Sequence, residues 1–204
     1  MFPRHCRGVT LVELIVFIVI VGVAMAGLFA AFNTITAASA DPQVRKQVLA
    51  IAESLMEEVQ LMPFTYCDPD DANAATATSA TVRTLPVDPT KCDTTAEVAA
   101  ALATDPATNE AGETRYHATT PFDNVNDYHR FSMVSGIQDI TNSTIGGLGA
   151  YSASITVTRA GLASGVDAIA ADEALLISVT VTGPGGISTT FEGYRVRYAA
   201  NTLP

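Results

Sequence analysis

The side chains that most often carry catalysis are few in this sequence and are widely spaced. The histidines are His5, His117 and His129, and no two of them have the His-x-x-x-His spacing of a zinc site on one helix face. No serine lies in a Gly-x-Ser-x-Gly motif, and the glycine-rich stretch 146–149 lacks the lysine of a phosphate-binding loop. The sequence therefore predicts neither an enzyme nor a cofactor.

Two acidic clusters contain the oxygen ligands that Ca²⁺ prefers. The first consists of Asp68, Asp70 and Asp71, and the second, residues 123–127, has the sequence DNVND. Neither cluster has the glycine and the terminal glutamate of an EF-hand loop, and the same residue types are common in turns. We therefore predict no metal site; if calcium binds, Asp68, Asp70 and Asp71 are the first candidates.

The three cysteines are Cys6, Cys67 and Cys92. If the segment that contains Cys6 is removed, the other two form an even pair, as in many exported proteins of oxidising compartments. A bond between them would close a loop of about 26 residues and stabilise the fold by roughly 3–4 kcal/mol. We predict a Cys67–Cys92 disulfide; two free, buried thiols are the alternative.

Length and charge exclude some functions. The chain has 204 residues, enough for one domain or for one domain and an anchor. Its formal net charge is −10, and its N-terminal residues are basic. A body this acidic repels polyanions, so we expect no nucleic-acid binding.

An apolar segment without any charge, residues 14–32, follows this basic N-terminus. As a helix its 19 residues would span about 28 Å, close to the thickness of one hydrocarbon core. The positive-inside rule then places the N-terminus in the cytoplasm and the body outside. A plain signal anchor is one interpretation, and a secretory signal peptide cleaved after the Ala-Ser-Ala of residues 38–40 is another. Neither accounts for Glu13 at the edge of the segment.

Residues 8–13, GVTLVE, resemble the type IV prepilin motif, in which a short basic leader ends in glycine. The resemblance implies cleavage between Gly8 and Val9 and N-methylation of Val9, where the family usually has phenylalanine. It also implies that Glu13 is the glutamate that this family has at the fifth position of the mature chain. This third interpretation is the one that we adopt.

The resemblance gives Glu13 an assembly role that is physically reasonable. A carboxylate near lipid costs roughly 2.5–3.5 kcal/mol on insertion scales, so it requires a partner. Cleavage would create a positive amine at Val9, about one helical turn away. The family pairs this amine with the glutamate of a neighbouring subunit, which sets the axial register in the filament. The alternative is a glutamate that only marks the membrane interface.

The helix is predicted to continue as an amphipathic half over residues 42–62. Asp41 and Pro42 resemble an N-cap and a first helical residue, so we expect a bend or restart there; two independent helices are the alternative. The acidic residues late on this helix are expected to face solvent. The apolar positions that predict a stripe packed on a globular domain are Val44, Val48, Ile51, Leu55, Val59 and Met62.

The last third of the chain is β-rich and predicts an antiparallel sheet of about four strands. Residues 131–137 are a candidate strand, and apolar residues alternate in 151–158 and 175–181. In the last strand Tyr194, Val196 and Tyr198 alternate with two arginines. Because Phe191 is out of phase with them, Gly193 is interpreted as a bulge.

Together these segments predict an α+β protein, a long N-terminal helix packed on an antiparallel sheet, which is also the fold that the pilin resemblance implies. The predicted organisation has five parts: a leader (1–8), an apolar helix (9–40), an amphipathic helix half (41–62), an irregular region with the disulfide (63–130) and the sheet (131–204).

Further stretches at 39–42, 50–55, 62–71 and 122–128 resemble minor pilins of the mannose-sensitive haemagglutinin (MSHA) pilus, of the MshD type. This resemblance implies a low-copy subunit that primes or caps a pilus. Its partners would be other pilins and minor pilins, the prepilin peptidase and the inner-membrane assembly platform. It would be a single-pass inner-membrane precursor that moves into the pilus. The alternatives are a type II secretion minor pseudopilin and a soluble exported binding domain released after Ala40.

Overall fold

The computed structural model describes the chain in five ranges, with only the backbone described for residues 34–41: residues 10–84, 87–96, 113–162, 168–171 and 173–197. The chain divides into two compact units, Met1–Gln43 and Val44–Pro204. Helix α1 (Leu11–Leu61) is continuous through Pro42, which is an internal residue. It therefore does not restart at Asp41–Pro42, although a proline inside a helix removes one backbone hydrogen bond.

The second unit contains an antiparallel sheet with the strand order β3-β4-β5-β6. Strand β3 is Ser132–Met133, β4 is Ser152–Arg159, β5 is Ala174–Thr182 and β6 is Ser188–Val196. A separate parallel pair consists of β1 (Ser79–Val82) and β2 (Lys91–Cys92). The fold is α+β, with an N-terminal apolar helix followed by a four-stranded antiparallel sheet, as predicted.

The first strand of the sheet is shorter than the sequence indicated. Only Ser132 and Met133 pair with β4, although residues 131–137 were the candidate strand. Gly136 has a φ of 102° and the chain turns there, so that the amide of Ile137 bonds the carbonyl of Leu148 instead of a strand. An apolar run with a left-handed glycine inside it cannot continue as a strand.

One face of the C-terminal part of α1 packs on the sheet. Val48, Ile51, Leu55 and Val59 are buried at three- and four-residue spacing, as predicted. They form one core with the inward-facing residues of β4 and β5, which are Ala153, Ile155, Val157, Leu175, Ile177, Val179 and Val181. Each fully buried aliphatic side chain contributes about 1.5–3 kcal/mol, so this contact is the main source of stability in the unit.

The last strand lies in the opposite phase from the one that its aromatic residues suggest. Gly193 pairs with Ile177 and Phe191 pairs with Val179 in an unbroken register, so Gly193 is not a bulge. Because strand residues alternate between faces, Phe191, Gly193 and Arg195 share the helix-facing side, while Tyr194 is 53% exposed on the other side.

Two glycines permit the close approach of α1 to the sheet. A Cβ at Gly193 would lie 2.5 Å from Nε2 of Gln60, an atom at the end of a flexible side chain. A Cβ at Gly183, after β5, would lie 2.9 Å from atoms of Tyr151, Val44 and Val48. The branched and aromatic side chains around Gly183 cannot move away without disturbing the core.

We predict that Gly183→Ala lowers the free energy of unfolding by about 1–3 kcal/mol, the usual effect of overpacking a core. Gly146→Ala is the matched control, because a Cβ at Gly146 has no atom within 4 Å. The free energy of unfolding of both variants is measured by chemical denaturation of the full chain in detergent. Equal stability of the two variants would contradict the close packing at Gly183.

Candidate functional site

Residues 11–33 of the first unit present an apolar helix surface, and none of their side chains is buried inside the chain. Among the described residues, one helix segment is long and apolar enough to cross a membrane, Leu11–Asn33. All side chains from Leu11 to Asn33 are exposed in the single chain. An apolar surface of this extent requires lipid or other apolar helices around it, since water would disfavour it.

Thr10 and Glu13 form the start of this helix. The hydroxyl oxygen of Thr10 accepts the backbone N–H of Glu13 at 3.3 Å, and the carbonyl of Thr10 accepts the N–H of Leu14 at 3.1 Å. Thr10 is therefore the N-cap, and Glu13 places an acid in the first turn, where the helix dipole favours it. Thr10 was not predicted as a cap, although T-L-V-E has the Ser/Thr-x-x-Glu pattern of a capping box. Gly8, Val9 and the leader lie outside the described residues.

Comparison with known families locates a match at this helix. Residues 3–29 match the family model of the prokaryotic N-terminal methylation motif. The N-terminal segment carries the type IV pilin-like prepilin signal. Comparison with curated proteins and with solved structures found no significant match. The motif and the apolar helix together support a membrane-anchored precursor that is processed as pilins and pseudopilins are.

The cysteines and one of the predicted aspartates stabilise the loops that follow α1. Cys67 and Cys92 form a disulfide and are both fully buried. Asp71 lies beside them, and its carboxylate accepts the amides of Asn73 and of residues 93–95. Burial acts to raise the pKa of Asp71, but these N–H groups outweigh it and lower the pKa to about 2.

The structure does not bring Asp68, Asp70 and Asp71 together as one set of ligands. Asp70 is exposed, and the carboxylate of Asp71 is occupied by backbone amides. Asp68 is 1% exposed and instead lies with Glu113 and Asp123, which is the group of described residues that could hold a cation. Asp68 and Asp123 come from the two different acidic clusters of the sequence, and Glu113 belongs to neither of them.

Neither described histidine has metal-ligand surroundings. Nδ1 of His117, an exposed residue, accepts the amide of Thr120 at 3.0 Å in a turn. His129 is buried, and its Nδ1 accepts the amide of Val157 at 3.1 Å. Burial lowers the pKa of His129, which favours the neutral ring with its proton on Nε2. His5 lies outside the described residues.

A charged network joins α1 to the region after the disulfide. Glu58 accepts two hydrogen bonds from Arg115, at 2.6 and 2.7 Å, and one from the hydroxyl of Tyr128 at 2.8 Å. Arg115 also donates to the carbonyls of Gln138 and Asp139. Such bidentate pairs are among the strongest side-chain contacts. The expectation that Glu58 faces solvent was therefore wrong; an isolated arginine in an irregular region gave no sequence signal for this contact.

This network links stability to pH. Burial acts to raise the pKa of Glu58, but the hydrogen bonds and charge of Arg115 outweigh it and lower the pKa below its ordinary value of 4.5. An acid whose pKa is lower in the folded state stabilises the fold above its unfolded pKa. This contribution disappears as the pH falls through the folded pKa.

We predict that Glu58→Gln lowers the free energy of unfolding at pH 7 by about 1.5–3 kcal/mol, the range for hydrogen bonds to charged groups. The difference from wild type should shrink below about pH 4.5, as Glu58 itself becomes protonated. Glu57→Gln, at the exposed neighbouring position, is the control and should change little. Denaturation curves at pH 7 and pH 3.5 (roughly one unit below the ordinary carboxyl pKa) test this. A difference independent of pH would contradict the ionic role.

Proposed function

We propose that this chain is a minor pilin of a type IV pilus of the MSHA type, assembled through its N-terminal helix. One observation carries the proposal: the N-terminal methylation motif of residues 3–29 overlaps a helix segment, Leu11–Asn33, whose apolar side chains are all exposed. A helix of this kind is suited to two environments in turn, lipid and a bundle of similar helices.

The proposal assigns a role to each part of the chain. Residues 1–8 are the leader, 9–40 are the membrane and filament helix, and 41–62 attach that helix to the body. Residues 63–130 and 131–204 form the part that faces the periplasm and later the pilus surface.

Glu13 is proposed to select the position of the subunit in the filament. Cleavage after Gly8 leaves a positive amine at Val9, about one helical turn before Glu13. In a bundle of apolar helices, an amine and a carboxylate from neighbouring subunits attract each other strongly, because the dielectric constant is low. Thr10 supports this geometry by capping the first turn next to Glu13. Since apolar contacts are similar in lipid and in the bundle, the charge pair provides the positional information.

The proposed partners follow from this route. The prepilin peptidase cleaves the precursor and methylates Val9, and the inner-membrane assembly platform transfers the subunit from lipid to the filament. Other pilins and minor pilins then surround the helix. A type II secretion minor pseudopilin would follow the same route, so the identity of the filament in which the subunit is found distinguishes these two functions.

The processing step is tested by the intact mass and N-terminal sequence of the protein from its native host. We expect a chain that begins at Val9 and carries one methyl group on its amine. Such a terminus supports a pilin-like subunit. A chain that begins at Asp41 would overturn the proposal in favour of a soluble exported domain.

The assembly role is tested by Glu13→Ala in cells that express the whole pilus system. We expect the variant to be processed and inserted in the membrane at the wild-type level, because removing a carboxylate does not oppose insertion. Its amount in sheared filaments should fall at least roughly tenfold, the effect of about 1.4 kcal/mol of lost pairing. Glu53→Ala, at an exposed position of the second unit, is the control. Wild-type incorporation of Glu13→Ala would exclude the pairing role.

A further inference from the structure

Three carboxylates from separate parts of the chain converge inside the second unit. Asp68, Glu113 and Asp123 each offer one oxygen atom, and these three atoms lie within 4.8 Å of one another. Asp68 is 1% exposed and Glu113 is 7% exposed, while Asp123 is half-buried. Like charges at this separation in a poorly solvated place repel each other strongly.

Specific hydrogen bonds hold the two acidic segments side by side. The amide of Val125 donates to the carbonyl of Pro63 at 3.1 Å, and the side-chain amide of Asn124 donates to the hydroxyl of Thr65 at 2.8 Å. Thr65 in turn donates to the carbonyl of Cys67 at 2.6 Å. Cys67, the residue before Asp68, is fixed by the disulfide, and Asn124, the residue after Asp123, is fixed by its hydrogen bond to Thr65. These bonds of the fold therefore hold the carboxylates of Asp68 and Asp123 close to each other.

A fourth carboxylate, Asp127, lies beside this group. Its Oδ2 accepts the amides of Asp123 at 3.0 Å and of Asn124 at 2.7 Å, and its charge is close enough to repel that of Asp68. Asp127 is 2% exposed, and its Oδ1 is buried with no hydrogen-bond donor among the described residues. A buried carboxylate oxygen without a donor is costly unless a proton or a cation compensates it.

The chemistry of the donors selects the kind of cation. All the converging atoms are carboxylate oxygens, which suit hard cations, and no histidine or cysteine ligand of the zinc type is among them. Ca²⁺ binds oxygens at about 2.3–2.6 Å, so oxygens on opposite sides of the ion can be about 4.6–5.2 Å apart. For Mg²⁺, with distances of about 2.0–2.1 Å, the limit is about 4.2 Å. Three protein carboxylates within 4.8 Å of one another fit inside this limit for calcium, and they suit Mg²⁺ less well because Mg²⁺ usually keeps several waters and binds only one or two carboxylates.

We propose that Asp68, Glu113 and Asp123 bind one Ca²⁺ ion, with Asp127 as the adjoining carboxylate that orients Asp123 through its backbone amide. Water or backbone oxygens complete the coordination sphere, as they commonly do for Ca²⁺. The ion connects the loop that follows α1 to the segment 113–127. It thereby reinforces a region in which polar contacts and one disulfide take the place of a large core. This proposal is independent of the pilus assignment.

The first test uses the full-length chain in detergent after removal of divalent ions with a chelator. Calcium is titrated in a calorimeter up to about 1 mM, the range of extracellular calcium modules. We expect one binding event per chain and a melting temperature that rises with calcium concentration, because the ion binds only the folded state. No heat and no change in melting temperature would overturn the proposal. An equal rise with Mg²⁺ at the same concentration would also overturn it.

The second test uses variants that keep the side-chain shape and remove one charge. Asp68→Asn and Asp123→Asn should each weaken calcium binding by roughly tenfold or more, because each variant loses one charged ligand. Asp70→Asn is the matched control, since Asp70 is an exposed residue of the same acidic cluster. Its calcium affinity should equal that of wild type. Equal losses in Asp70→Asn and Asp68→Asn would indicate general surface charge and would contradict the site. If a variant fails to fold, the wild-type titration against Mg²⁺ decides the question.

Discussion

The contact between the apolar stripe of α1 and the four-stranded sheet is the interaction on which the rest of the second unit depends. Val48 and Val59 are both fully buried against strands whose inward-facing residues are almost entirely aliphatic. This packing selects which face of the sheet turns inward, and it requires a glycine at position 183, where the side chains of Val44, Val48 and Tyr151 leave no room for a Cβ. It also fixes the position of Glu58, which can then bind Arg115 and Tyr128 from a distant part of the chain.

The N-terminal part of the same helix is subject to a different constraint. Its side chains from Leu11 to Asn33 are exposed and almost all apolar, and its first turn combines the Thr10 cap with the acidic Glu13. Water disfavours such a surface, whereas lipid and neighbouring apolar helices accept it almost equally well. The match of residues 3–29 to the prokaryotic N-terminal methylation motif supports a pilin-like or pseudopilin-like membrane-anchored precursor. The proposed transfer of the processed subunit from membrane to filament would use this similarity of the two surroundings.

The region between helix and sheet is organised by polar contacts more than by apolar burial. The Cys67–Cys92 disulfide, the amides around Asp71 and the bonds from Asn124 to Thr65 hold segments that are short of apolar residues. The same contacts place Asp68 beside Asp123 and Glu113. Carboxylates that are brought together in this way repel one another, and a calcium ion would convert that repulsion into a connection between segments.

Local patterns in the sequence were sufficient for the membrane-type helix, the amphipathic half, strands β4 and β5, and the cysteine pair. Each of these rests on periodicity, on continuous hydropathy or on a small number of possible partners. The tertiary structure alone decided the phase of β6, because pairing with Ile177 and Val179 outweighs the aromatic pattern around Tyr194. It alone joined Glu58 to Arg115 and divided the first acidic cluster, since both outcomes depend on residues about 50 positions apart. No local pattern contains such long-range contacts, because they arise only when the core brings the segments together.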